Sequence, residues 1–244
     1  MAGRVPEEKI RLPLLRQRWD AISFLHWRYE AGAVDALLPS GVRCEQIDGS
    51  AWVGMTPFVA RGTGLAPVPS PRLPDFPETN LRTYVRTRSG RSAVWFFSLE
   101  AANAAVVAAA RAAVGVPYRH AQMDAQVGPE RCRYVSRRPA ASVGHTIEVE
   151  PGPPLHGGEG TPLAQALCGR WRALVPRGGC RLYVPIRHEP WFLHRAQLVA
   201  LDENLIEAAG LPPPRGEPDV LWSPGVDAVI GSPRPDLVRA ADGA

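Results

Sequence analysis

Residues 77–86 read PETNLRTYVR. Taken alternately, Glu78, Asn80, Arg82 and Tyr84 fall on one side, and Thr79, Leu81, Thr83 and Val85 on the other. A repeat of two is the strand period, so the segment predicts a strand with an acid, an amide, a guanidinium and a phenol on one face. Such a face points to solvent or, in a barrel, into the lumen, because inward and outward residues alternate along each barrel strand. A loop with too many prolines for a helix or sheet interior, LAPVPSPRLPDFP (65–77), precedes it. Thr79–Thr87 and Ser92–Leu99 flank Ser89-Gly90 and predict a hairpin.

Upstream, AISFLHWRYE (21–30) predicts a strand and AGAVDALLP (31–39) a short helix stopped by Pro39. Val42–Gln46 and Ala51–Phe58 flank Asp48-Gly49, a second hairpin signal. Downstream, EAANAAVVAAARAAVGVP (100–117) favours helix through its alanines, with Gly115 and Pro117 as the stop. Tyr118–Val127 and Arg131–Ser136 predict a hairpin turning at Gly128-Pro129-Glu130, and Ser142–Glu150 a further strand. PGPPLHGGEGTP (151–162) predicts a flexible loop, and Thr161-Pro162 opens a helix reaching about Trp171. Cys180–His188 and Trp191–Leu201 predict strands, and Asn204–Ala209 a helix ending at Gly210. From Leu211 the chain is a proline-rich tail with frayed last residues. About ten strands, mostly in hairpins, with three or four helices, argue for an α+β fold around a strongly bent or closed antiparallel-rich sheet with a few flanking helices. No linker divides the chain, which predicts one domain over 1–244, with 1–18 and 234–244 peripheral.

The charge is mildly basic, +4, and no tract concentrates it; nucleic-acid binding needs a basic stripe and is not expected. No run approaches the 18 apolar residues of a membrane helix, and the start MAGRVPEEKIRLPLLRQRW lacks a signal-peptide core, so a cytoplasmic protein is expected. The four cysteines, Cys44, Cys132, Cys168 and Cys180, are widely spaced without CxxC and read as small buried hydrophobes. There is no HExxH, GxGxxG, P-loop or GxSxG; no metal and no cofactor is expected, although scattered His and Glu leave a metal open. Lys9 is the single lysine, and the other 27 cations are arginines.

Several motifs then fall in a familiar order: FLHW (24–27), DGSAWVGMTPF (48–58), ETNLRTYVR (78–86), VWFFSLEA (94–101), Arg111 with VPY (116–118), HEPW (188–191) and AAGL (208–211). From about Trp19 to Pro233 the chain resembles the YqjF-like family of bacterial proteins, which has no settled activity. That family is similar in fold to acetoacetate decarboxylase, a cone-shaped β-barrel with a lumenal active site. The decarboxylase pattern has a strand near a Glu, a Gly turn, a second strand, a helix with an Arg, then Gly and Pro before two lysines. Here the order is Glu78, Gly90, VWFFSL, Arg111 and GVPYRH. The resemblance puts Tyr118 where that family carries its Schiff-base lysine, and Arg119 where it carries the lysine that depresses the first one's pKa. An imine needs a primary amine inside a pocket. Lys9 sits in a polar stretch before the first strand, so imine-forming decarboxylation is not expected.

The first functional reading is an acid–base enzyme of lyase, isomerase or cyclase type, acting without a Schiff base on a carbonyl- or carboxylate-bearing metabolite. Glu78 is its base and Tyr118 its proton donor, with Arg82 or Arg111 as the anion clamp. Buried charges persist only when paired, and Arg82 or Arg111 is the expected bidentate partner of Glu78. Asn80, Tyr84, His120 (on the face of Tyr118) and His188 complete the candidate binding set. The bland reading of the same face is a Glu–Arg–Asn network that fixes the barrel. His26, Trp52, Trp95 and Trp191 read as core, and Arg137-Arg138 as a solvated surface pair. The alternatives to an enzyme are a non-catalytic small-molecule binder, such as a sensor or sequestration protein, and an assembly protein with a plugged lumen. The expected partner is a small-molecule ligand or substrate, with a homo-oligomer possible.

Overall fold

The strand containing PETNLRTYVR lies in the wall of a closed barrel. The computed structural model describes residues 9–66, 70–87, 90–155, 160–177 and 180–236. Along the chain these form β1 (Pro13–Tyr29), α1 (Ala31–Asp35), β2 (Arg43–Cys44), β3 (Ala51–Leu65), β4 (Phe76–Arg86) and β5 (Ser92–Ala101). Then come α2 (Ala104–Ala113), β6 (Tyr118–His120), β7 (Gln122–Val127), β8 (Cys132–Arg137), β9 (Gly144–Pro154) and α3 (Pro162–Cys168). The remainder is β10 (Arg172–Arg177), β11 (Cys180–His188), β12 (His194–Glu203), α4 (Leu205–Ala208), β13 (Asp219–Gly231) and β14 (Arg234–Pro235).

Seven strands run in the order β11-β10-β5-β4-β3-β1-β13, and β13 pairs back onto β11 through Ile186–Ile230 and His188–Ala228. The barrel is mixed because β10 runs parallel to β5. Beyond β13 the sheet continues as β12-β9-β8-β7, a wing that folds over the outside of the barrel. Its underside and the outward residues of β1, β3 and β4 make one cluster: Leu25, Trp27, Met55 and Leu81 against Tyr134, Ile147 and Val149. Polar ties cross the same seam. Thr79 Oγ1 lies 2.9 Å from His145 Nε2, and Arg138 holds Glu100 with two hydrogen bonds of 2.9 and 2.7 Å.

Leu81 therefore packs outward, under the wing rather than against the alanine-rich helix. The same alternation turns Glu78, Asn80, Arg82 and Tyr84 inward. Helix α2 starts where Asn103 caps it, its side chain accepting from the amides of Ala105 and Val106 at 3.1 Å. It carries the chain from β5 to β6, which lies parallel to β5 with Tyr118 opposite Leu99.

Several expectations are corrected. The Asp48-Gly49 turn forms, with an isolated bridge between Ile47 and Ser50, but β2 pairs with β4 instead of β3. The tail beyond Leu211 contains β13, the strand that closes the barrel. Pro224-Gly225 masks it in the sequence, and the bend is real. Gly225 has φ +122 and stands opposite Asp20, next to Ala21, which has φ +47. A Cβ on Gly225 would lie 2.2 Å from the carbonyl oxygen of Trp19. The paired kink exchanges inward and outward phases of both strands. Strand β10 was not expected either; α3 ends at Cys168, and the chain beyond it turns into the wall. Pro13–Arg18, expected to be peripheral, is paired within β1. Arg138 belongs to the wing seam and not to a solvated surface pair. Ser89, of the second predicted turn, lies outside the described residues.

Candidate functional site

Glu78 sits near the start of β4, between Phe58 of β3 and Ala101 of β5 in register. Those two residues join Phe24, Phe76, Val107 and Trp191 in one apolar cluster inside the barrel, and Tyr118 packs against it. Glu78 is 3% exposed. Its hydrogen-bond partner is the Tyr118 hydroxyl, 3.2 Å from one oxygen and 3.1 Å from the other. Tyr118 keeps part of its surface exposed while its hydroxyl end lies deep among protein atoms. The hairpin β4–β5 supplies the acid, and the crossover through α2 delivers the phenol to the same end of β5.

No arginine reaches Glu78 among the described residues, against expectation. Burial without a counter-charge pushes its carboxyl up to about 8, opposed by the Tyr118 hydrogen bond, which lowers it. The phenol is pushed well above its ordinary value by burial, and further by Glu78. At pH 7 the pair is therefore a neutral carboxylic acid beside a neutral phenol. Both can donate, and the acid's pKa lies where it can give up a proton and take it back.

Farther along β4 a second polar group forms. Tyr84 donates from its hydroxyl to the carbonyl of Leu167 at 2.7 Å, so His26 Nε2 donates to that hydroxyl at 2.6 Å. His26 thus carries a hydrogen on Nε2, and burial, then Arg82 and Arg170, hold its pKa well below the usual value, which favours the neutral ring. Gly54 makes room: a Cβ there would sit 2.7 Å from the His26 ring. Arg82 donates from Nη2 to the same Leu167 carbonyl at 3.2 Å, and Trp191 donates to the Cys168 carbonyl at 2.9 Å. The last carbonyls of α3 are thereby held inside the barrel. Deeper still, Arg170 Nη1 donates to buried Glu45 at 2.7 Å.

His188 is buried with Trp19, Trp171 and Trp191 around it, ring centres 5.7, 4.4 and 4.7 Å away. Its Nδ1 donates to the carbonyl of Glu189 at 2.5 Å, and burial brings its pKa down to about 4. Asn80 faces the lumen beside Thr56, and among the described residues Asn80 Oδ1 and Thr56 Oγ1 have no hydrogen-bond partner. Two candidates stand apart. Arg111 lies on the exposed face of α2, and His120 is exposed at the end of the three-residue β6, although it shares the strand face of Tyr118. Sequence reasoning missed Arg170, Glu45 and the Leu167 carbonyl. A lone Arg after a helix, a lone Glu before a turn and a main-chain oxygen carry no periodic signal. Lys9 is exposed ahead of β1. Among the described residues no group of three His, Cys, Asp or Glu side chains could hold a metal ion, and no helix is long and apolar enough to cross a membrane. A surface concavity at the β7–β8 turn, lined by Arg131, Arg133 and Glu148, lies on the wing and includes none of the groups above.

Comparison with known proteins bears out the resemblance read from the motifs. The family model DUF2071, described as an uncharacterized conserved protein, matches residues 16–227. The uncharacterized protein YqjF of Bacillus subtilis (strain 168) is 30% identical over 227 residues, 89% of this chain and 92% of that one. Among solved structures, acetoacetate decarboxylase of Legionella pneumophila superposes with a TM-score of 0.61 at 12% identity, covering 90% of this chain and 86% of that one. The enduracididine biosynthesis enzyme MppR, complexed with pyruvate, gives 0.63 at 13% identity, over 96% and 94%. An acetoacetate decarboxylase-like enzyme of Sphingomonas wittichii RW1 gives 0.63 at 11% identity, over 91% and 92%. At these identities the likeness is one of fold.

Proposed function

The chain belongs to the DUF2071 family, and on that premise we propose that it is an enzyme that processes a small carbonyl- or carboxylate-bearing metabolite by acid–base chemistry, of lyase, isomerase or cyclase type, without an imine. One observation carries this reading: a buried carboxyl in an apolar interior, held 3.1 and 3.2 Å from a phenol and reached by no arginine among the described residues, with burial pushing its pKa up. Structural carboxylates are usually paired or solvated, and an isolated one with its pKa near neutrality is the arrangement a proton-transfer catalyst needs. Glu78, as its minor carboxylate form, takes a proton from the carbon beside a carbonyl. Tyr118 donates a hydrogen bond to the oxygen that gains charge, and the proton on Glu78 is then returned to carbon, or to a leaving oxygen if one departs. Arg82, inward on the same strand, holds a substrate carboxylate; exposed Arg111 does not share that role. The absence of an imine rests on Lys9, the lone lysine, standing outside the barrel. MppR is a barrel of this fold described with pyruvate, and also with a condensation product of pyruvate and imidazole 4-carboxaldehyde. A small oxo acid of that kind is the substrate class proposed.

The test is exchange of hydrogen for deuterium at carbon in a panel of 2-oxo acids and ketones incubated in D2O, read by mass spectrometry. Glu78→Gln and Tyr118→Phe are expected to abolish exchange or turnover of whichever compound responds. Full turnover in both variants overturns the assignment. A second reading, a binder that leaves its ligand unchanged, draws on the engagement of Arg82 and Tyr84 by α3, which occupies lumen space. A bound compound with the same mass before and after incubation favours it.

A further inference from the structure

Among the described residues one buried guanidinium of the lumen, that of Arg82, has no acid of its own. Arg82 and Arg170 both stand near the ring of Tyr84, with guanidinium carbons 5.8 and 4.3 Å from its centre. The acid of this region is Glu45, and it is fully used. Arg170 donates to it at 2.7 Å, Arg86 at 3.0 Å and the Ser92 hydroxyl at 2.8 Å. One buried carboxylate thus serves two arginines, and neither is Arg82. Among the described residues Arg82 makes no ion pair; its hydrogen bond goes to a main-chain carbonyl, and its Nε has no partner. Arg170 likewise keeps Nε and Nη2 without partners. Arginine cannot shed its proton to escape burial, and Glu78, the inward acid of β4, is hydrogen-bonded by Tyr118 and reaches no arginine among the described residues. The carbonyl end of α3 offsets part of the charge, but a helix terminus supplies only about half an elementary charge.

We infer that Arg82, with Arg170 behind it, binds the carboxylate of a small organic acid in the lumen. The inference rests on the lumen being a ligand site, as read above, but not on the acid–base chemistry of Glu78 and Tyr118. An unpaired buried guanidinium matches a carboxylate. The side edge of a guanidinium, with Nε free, is the edge that carboxylates engage. The ring of Phe24, 5.7 Å from the Arg82 guanidinium, gives the apolar body of such an acid a surface to lie on. Asn80 Oδ1 and Thr56 Oγ1, inward and unpartnered one step along the strands, offer polar contacts to a second oxygen of the ligand. The ligand class is therefore an organic acid, not a neutral ketone or aldehyde.

The probes are propionate and its uncharged counterpart propionamide, titrated into the full chain by calorimetry at pH 7 and constant ionic strength, with melting temperature followed in parallel. Propionate is expected to bind and to raise the melting temperature, and propionamide to do neither. Arg82→Gln is expected to weaken propionate binding by about tenfold or more, and Arg82→Lys, which keeps the charge, by only a few-fold. An equal response of the wild-type chain to both probes overturns the inference whatever the variants do. So does unchanged propionate binding in a folded Arg82→Gln protein. Because the readout is binding, loss of the proposed catalysis in Glu78→Gln leaves the result standing, and failure of the anion site leaves the carboxyl–phenol pair untouched.

Discussion

Replacing Glu78 with Gln removes one titration and little else. The amide has nearly the shape of the protonated acid and can still meet the Tyr118 hydroxyl. In the folded chain the Glu78 carboxyl is raised to about 8, while in the unfolded chain it returns to its ordinary value near 4.5. The folded pKa is the higher one, so the folded state binds the proton more tightly. Stability from this group is complete below pH 4.5 and is lost as pH rises, until nothing remains above pH 8. Three and a half pH units at about 1.4 kcal/mol each give roughly 5 kcal/mol, a large share of the stability of an ordinary domain. Urea unfolding of wild type and Glu78→Gln at pH 5 and pH 8.5 measures it. At pH 5 the two proteins are expected to agree to within about 1 kcal/mol. At pH 8.5 the Gln protein is expected to be more stable by about 4–5 kcal/mol. Contributions from other groups, including His145 and His188, whose pKa values are lowered to about 4, are common to both proteins and cancel in the difference. Parallel stability profiles would refute the reasoning. They would mean that Glu78 ionises like a solvated carboxyl and that its surroundings are wet.

Tyr118→Phe deletes the hydrogen bond that restrains the Glu78 pKa, so NMR titration of the Glu78 carboxyl is expected to give a midpoint above that of wild type, with stability lowered by about 1 kcal/mol at pH 6. Arg138→Ala leaves Glu100, which is 0% exposed, without its bidentate partner. A loss of about 3–5 kcal/mol in denaturant unfolding is expected, against less than about 0.5 kcal/mol for Arg137→Ala next to it. Gly225→Ala forces a Cβ against the Trp19 carbonyl at an unfavourable φ. Its expected cost is roughly 3 kcal/mol or more by thermal or urea unfolding.

What could be read before folding follows one rule: local patterns are legible and meetings are not. The two-residue alternation of 78–85 identified a strand with a polar side, and the β4–β5 hairpin has the expected pairing. The helix after β5 was legible from its alanines, and that after Thr161 from its cap, since both signals lie within a few residues of what they form. The motif order placed Glu78 and Tyr118 in a common frame, yet their contact crosses 40 positions and exists only because α2 returns the chain beside β5. The closing strand β13 was illegible. Its proline and glycine read as a tail until β1, more than 200 residues earlier, supplies the matching kink.

By itself the sequence determined which residue types share the alternating polar face of β4, because residue type and strand period are local properties. Which side of β4 faced the interior was set by the wing of β7, β8, β9 and β12, whose apolar underside covers Leu81 and leaves the polar side no direction but inward. The charge state of Glu78 was likewise a tertiary outcome. A carboxyl's affinity for its proton depends on the water and cations around it, and here the packing of Phe58, Ala101 and Tyr118 excludes the first while no arginine reaches Glu78 among the described residues.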